Sequence, residues 1–175
     1  AIAVCFSKPL FKADEYEANK HYFLSLYFRN QYDNALASLP NVNSGVNITR
    51  IEVYVTNTNN TVEDTRNILA FSDLGEDQAY FTQGSSANDL LPNQFPSNKQ
   101  NSLFNELAND PSVYGFNNAT GVLNGKGFQP AIHYEKLESA RKLSPSSYTL
   151  NSRLGFITLN QQPLNNDEVL AIAYE

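Results

Sequence analysis

Apolar and polar side chains alternate over several short stretches of this chain, and between them the apolar spacing lengthens to that of a helix. His21 to Phe28 places Tyr22, Leu24, Leu26 and Phe28 at period two, with Phe23, Ser25 and Tyr27 on the other face, and predicts a strand. Phe28, Tyr32, Ala35, Leu36 and Leu39 then recur at helical steps, so a short helix follows and Pro40 stops it. Turn chemistry at Asn43-Ser44-Gly45 precedes the clearest strand, Ile48 to Thr56, in which Ile51, Val53 and Val55 share one face and Glu52, Tyr54 and Thr56 the other. The polar turn Asn57-Thr58-Asn59-Asn60 and the segment Asp64-Thr65-Arg66 return the chain into Asn67-Ile68-Leu69-Ala70-Phe71, which predicts a β-hairpin over 48–72.

From Asp77 to Pro96 the pattern is aperiodic and rich in Gln, Ser, Asn and Pro, predicting a surface loop with one helical turn around Asn88 to Leu91. Ser97 or Asn98 can cap a helix in which Leu103, Phe104, Leu107 and Ala108 share a face, and Asp110-Pro111 ends it. Asn117 to Gly127 predicts a second long loop. Between Tyr134 and Ala140 a helical face (Tyr134, Leu137, Ala140) competes with an alternating one (Glu135, Leu137, Ser139), and the Pro145 and Ser cluster that follows favours the strand. Tyr148 to Leu150, a turn at Asn151-Ser152-Arg153 and Gly155 to Leu159 form a hairpin. The last run, Val169 to Tyr174, is apolar on both faces and is expected at the centre of a sheet. Together these elements predict a mainly β protein, an antiparallel β-sandwich of jelly-roll-like form with two or three short inserted helices. It is expected as one soluble domain over residues 1–175, with a loop and helix insertion at 77–130.

Composition narrows the function. A chain of 175 residues, 41% apolar and 17% charged, buries an ordinary globular core without disulfides. Its 12 basic and 18 acidic residues give a net charge of −6, which opposes nucleic acid and anionic lipid as partners. No run approaches the ~18 apolar residues of a membrane-crossing helix, so no direct membrane insertion is expected. The sequence starts at Ala1, contains no Met and shows no basic-then-apolar leader, so it is expected to be a piece excised from a larger protein. Abundant Asn suits a loop-rich β protein, because Asn tolerates positive φ and closes Asx turns.

Catalytic patterns are missing from this sequence. Neither histidine, His21 or His133, sits in a nucleophile-base or zinc motif, and there is no Gly-rich phosphate loop. Cys5, between Val4 and Phe6, reads as a buried small hydrophobe. Asp73, Glu76 and Asp77, and Asp167 and Glu168 beside Asn165 and Asn166, could gather oxygen ligands for calcium, but their spacing matches no EF-hand and reads as solvated turns. No enzyme activity, cofactor or metal is expected. Most of the ten Tyr and eleven Phe fall at core-like spacing. Tyr54 is the exception, since it shares the polar strand face with Glu52 and Thr56; that face, or a strand edge in 48–72, is the candidate contact surface.

Three stretches carry a resemblance. They are Asn47 to Asn57 (Asn-Ile-Thr-Arg-Ile-Glu-Val-Tyr-Val-Thr-Asn), Thr65 to Glu76, and a run from Lys136 through Ala140-Arg141-Lys142-Leu143, Tyr148 to Asn151 and Leu154 to Asn160 into Asp167 to Tyr174. In this order they resemble the N-terminal soluble region of the SprA/Sov family, very large gliding-motility and secretion proteins of Bacteroidetes. The resemblance spans about Tyr22 to Glu175 and is weakest over 77–130. It departs at Tyr54, where the family pattern has Trp, and at Ser72, where it has Met. It implies a non-enzymatic structural or interaction domain of the outer-membrane translocon of type IX secretion. The barrel lies outside this piece, and the partners would be other subunits of the machinery or secreted cargo. The implied location is the cell envelope, facing the periplasm or the exterior, and no catalytic residues are carried over. The alternative, from fold analogy, is a carbohydrate-binding module of a cell-surface protein.

Overall fold

The alternation read in the sequence becomes two antiparallel sheets. A computed structural model describes residues 17–58, 63–72, 95–97, 103–160 and 162–175. Cys5, the acidic group Asp73, Glu76 and Asp77, the loop from 77 to 94 and its helical turn lie outside the described residues.

The smaller sheet has three strands, β1 (His21–Phe23), β6 (Phe156–Leu159) and β5 (Tyr148–Asn151), in the order β1-β6-β5. The larger contains β2 (Ile51–Val55), β3 (Thr65–Phe71), β4 (Tyr134–Lys142) and β7 (Leu170–Tyr174), in the order β3-β4-β2-β7. Three helices accompany them among the described residues: α1 (Leu26–Leu36), α2 (Leu103–Ala108) and α3 (Ala119–Gly125). A 3₁₀ turn over Pro111–Tyr114 links α2 to α3, and the Asp110 carboxylate caps it by accepting the Ser112 N–H.

Val53, Val55 and Leu143 pack against Ile157 and Leu159, so the main core lies between the two sheets. Val53 and Ile157 are fully buried, and each such side chain contributes about 1.5–3 kcal/mol by leaving water. A second cluster joins Val113 and Leu123 to Tyr134, with Leu69 and Phe71 at its margin; there the helical insertion packs on β3 and β4. The third, Tyr54, Leu137, Ala140 and Ala171, lies on the face of the larger sheet opposite Val53.

The β-rich two-sheet architecture, the C-terminal hairpin, the strand over Tyr134 to Ala140 and the helix at Leu103 stand as expected. Four local expectations are corrected. The strand expected over 21–28 ends at Phe23, because Leu24 bonds to Gly155 O (2.9 Å), where the segment paired with it turns at φ +62, and Ser25 begins the helix in extended conformation. Residues 119–125 form α3 instead of a loop. Two glycines give it poor intrinsic propensity, and burial of Ala119 and Leu123 compensates. The 48–72 hairpin does not form, since β4 lies between β2 and β3 and pairs with both. Finally, β7 ends the sheet among the described residues instead of lying at its centre: Leu170, Ile172 and Tyr174 point to the Val53 side, while on the other face Ala171 is buried beside Tyr54 and Ala173 is exposed.

Between Arg66 and Ile68 the β3–β4 register shifts, Arg66 facing Ala140 and Ile68 facing Leu137. The extra residue is on β4, where Ser139 takes φ +48 and donates its N–H to Asn67 Oδ1 (2.9 Å). This bulge keeps Ala140, Leu137 and Ile68 on one face despite the added residue.

Candidate interaction surface

The three residues singled out on β2 and just beyond it have different fates. Glu52 is central. Its carboxylate accepts from Lys142 Nζ (3.0 Å), Tyr54 Oη (3.0 Å) and Arg50 Nη2 (3.4 Å), and Arg66 Nη1 lies 4.0 Å away. Lys142 comes from β4 and Arg66 from β3, so three strands converge on one carboxylate. The Lys142 ammonium foremost, with the Tyr54 hydroxyl, holds the Glu52 carboxyl at about 2, well below its ordinary 4.5. Burial, reinforced by Glu52, pushes the Tyr54 phenol upward.

Tyr54 itself is 5% exposed, so it supports this face from within instead of presenting a ring to a partner. Thr56 is spent on the β2–β7 junction, its Oγ1 accepting the Val169 N–H (2.9 Å) and its own N–H donating to Val169 O (3.1 Å). What the face offers outward is cationic, because Arg50 and Arg66 are largely exposed around a single partly covered carboxylate.

The remaining candidates are held in local networks. His21 bridges Thr158 Oγ1 and Glu17, each at 2.9 Å, and His133 Nδ1 accepts the Gln129 N–H (2.8 Å). Glu168 accepts the Asn165 N–H (2.9 Å) and closes its own turn, while Asn166 Oδ1 accepts from Asn19 (3.1 Å). Among the described residues no three His, Cys, Asp or Glu side chains converge as metal ligands would. A comparison of the sequence with protein-family models and with curated proteins finds no match.

The other candidate, a strand edge within 48–72, is found along β3. Among the described residues this seven-residue strand pairs on one side only, with β4, and ends the larger sheet. Beside it a groove of about 460 Å³ runs between the strand and the helical insertion, lined by Asn67, Leu69 and Phe71 of β3 and by Phe104, Leu107 and Tyr114 opposite. Phe104 and Tyr114 are among the exposed large hydrophobics, Tyr114 at 69%. The sequence carried half of this signal, in the alternation of Asn67, Leu69 and Phe71 and the shared face of Phe104 and Leu107. That the two would meet depends on β4, which pairs with β3 and is separated from it in the chain by the whole insertion.

A second cleft, of about 520 Å³, opens at one end of the sandwich and is mostly polar, with Thr58, Arg141, Gln162, Asn165 and Glu168 on its walls.

Proposed function

We propose that this chain is a non-enzymatic interaction domain of an outer-membrane translocon of the SprA/Sov kind, acting in type IX protein secretion and gliding motility. It acts as a rigid scaffold in the cell envelope that contacts other subunits of the machinery or secreted cargo. A jelly-roll-like winding of the two sheets belongs to the same reading, as does the status of 77–130 as an insertion into one domain. The observation that carries it is the β3 edge over Asn67, Leu69 and Phe71, which has no strand neighbour among the described residues and lies beside an apolar groove, because such an edge with flanking pockets is a ready surface for another chain. The ordered resemblance of the three sequence stretches supplies the system in which that surface works.

The experiment is photo-crosslinking in cells of a type IX-secreting bacterium, with the photoreactive residue placed at Arg66 on the edge or at Arg153 on the β5–β6 turn. Arg66 should crosslink to a subunit of the secretion machinery or to a secreted cargo protein, and Arg153 should not. Equal or absent crosslinking at the two positions overturns the proposal.

The polar cleft at the sandwich end favours the alternative of a carbohydrate-binding module, since Arg141, Gln162 and Asn165 could hydrogen-bond sugar hydroxyls. A glycan array decides: specific binding lost in Gln162→Ala or Arg141→Ala promotes the alternative, and no binding removes it.

A further inference from the structure

The pairing geometry of β3 shows which of its backbone groups are available. Ser72 donates its N–H to His133 O (3.1 Å) and Lys142 donates to Asp64 O (3.0 Å), so the even-numbered residues of this strand carry the ladder bonds to β4. In an antiparallel pair the alternate residues direct their N–H and C=O groups away from the partner. Asn67, Leu69 and Phe71 therefore aim their main-chain donors and acceptors outward from the sheet. These are the three β3 residues whose side chains line the groove. Backbone hydrogen-bonding capacity and apolar pockets thus lie side by side over one stretch of strand.

Charge narrows what fits there. From Thr65 to Phe71 the strand contains no acidic residue. Lys136, the cross-strand neighbour of Leu69, places its ammonium 4.2 Å from the Phe116 ring centroid, and Phe116 lines the groove. No carboxylate among the described residues pairs with Lys136. On the opposite face of the same strand stands Arg66, 65% exposed. In a molecule of net charge −6, the groove side of this edge thus carries the cation Lys136, while on the other face Arg66 is shared with Glu52 and Glu135 stands opposite Ala70.

We infer that the groove beside β3 is a strand-addition site for an extended, acidic segment of a partner protein, apolar at alternate positions. Its backbone pairs with Asn67, Leu69 and Phe71, its apolar side chains enter the space between Phe71, Phe104, Leu107 and Tyr114, and a carboxylate on it meets Lys136. Main-chain pairing supplies affinity and the alternate pockets supply selection. The inference deepens the reading of β3 as the contact edge and rests on it.

The test is fluorescence anisotropy of the intact chain with short labelled peptides. The first alternates valine or phenylalanine with threonine and carries one aspartate on the apolar side; the second has the same composition without alternation; the third is the first with alternate amides N-methylated. The first should bind in the micromolar range and the other two at least about tenfold more weakly. Tyr114→Ala, at an exposed site, should weaken the first peptide. Lys136→Glu should weaken it too and prefer a version with lysine in place of the aspartate.

Equal binding of the N-methylated peptide, or of the non-alternating one, overturns strand addition, as does no binding of any of them. A concentration-dependent dimer in sedimentation, with the Leu69 and Phe71 amides newly protected from exchange, overturns the assignment by making a second copy of this chain the occupant. Crosslinks from Arg66 that persist without peptide discrimination sink this inference and leave the proposed function standing. Peptide discrimination without crosslinks does the reverse.

Discussion

At Gly155 the backbone turns with φ +62 and passes so close to Phe28 that an added Cβ would lie 2.1 Å from a ring carbon. Two independent penalties meet there, a left-handed backbone that L side chains rarely adopt and a ring locked between helix α1 and the turn. Gly155→Ala should lower stability by roughly 2–5 kcal/mol, read as a shifted urea midpoint. An unchanged midpoint would mean that neither the Phe28 ring nor the φ +62 backbone resists a side chain there. Glu52 governs a different response. Its folded-state value of about 2 lies below the ordinary 4.5, so its contribution is complete above about pH 4.5 and is lost as pH falls towards 2. Glu52→Gln should flatten the fall of the thermal midpoint over that acid window. The slope should diminish without vanishing, because Asp110, held at about 2 by Lys126 and Ser112, titrates in the same range. Sequence alternation placed Glu52, Tyr54 and Thr56 on one face. It could not show that Lys142 and Arg66 would arrive from other strands, and those cations decide the electrostatics of the site.

Among the described residues strand β3 differs from its neighbour β4 in having one ladder instead of two. The even-numbered amides Ile68 and Ala70 bond to β4, whereas Leu69 and Phe71 point outward. In hydrogen-exchange NMR the first pair should exchange at least about tenfold more slowly than the second. Uniform protection along the strand would show that something pairs with the edge. Element types were most legible where the period was long and consistent, as in Ile51 to Val55 and Tyr148 to Leu159. They failed where tertiary contacts outvoted local preference. Helix α3 forms around glycines because Ala119 and Leu123 are buried, Leu123 against Val113 and Tyr134, and β1 stops after three residues because its partner turns at Gly155.

The two-sheet architecture as a whole could be read from strand alternation and turn residues, but the order of strands could not. Turn chemistry between β2 and β3 says that the chain reverses, and a reversal usually joins neighbours; here β4 takes the place between them. Nothing local to residues 48–72 encodes that outcome, which depends on six register pairs with a segment far downstream. The groove beside β3 is absent from any local pattern for the same reason. The strand order has a further consequence, which concerns timing. While the chain is being synthesised, Val55 and Thr65 emerge early and cannot be joined until Arg141, their common neighbour, has followed. Until then both strands travel with open sides, so a holding chaperone that masks extended segments should raise the yield of this domain more than that of a sheet assembled hairpin by hairpin.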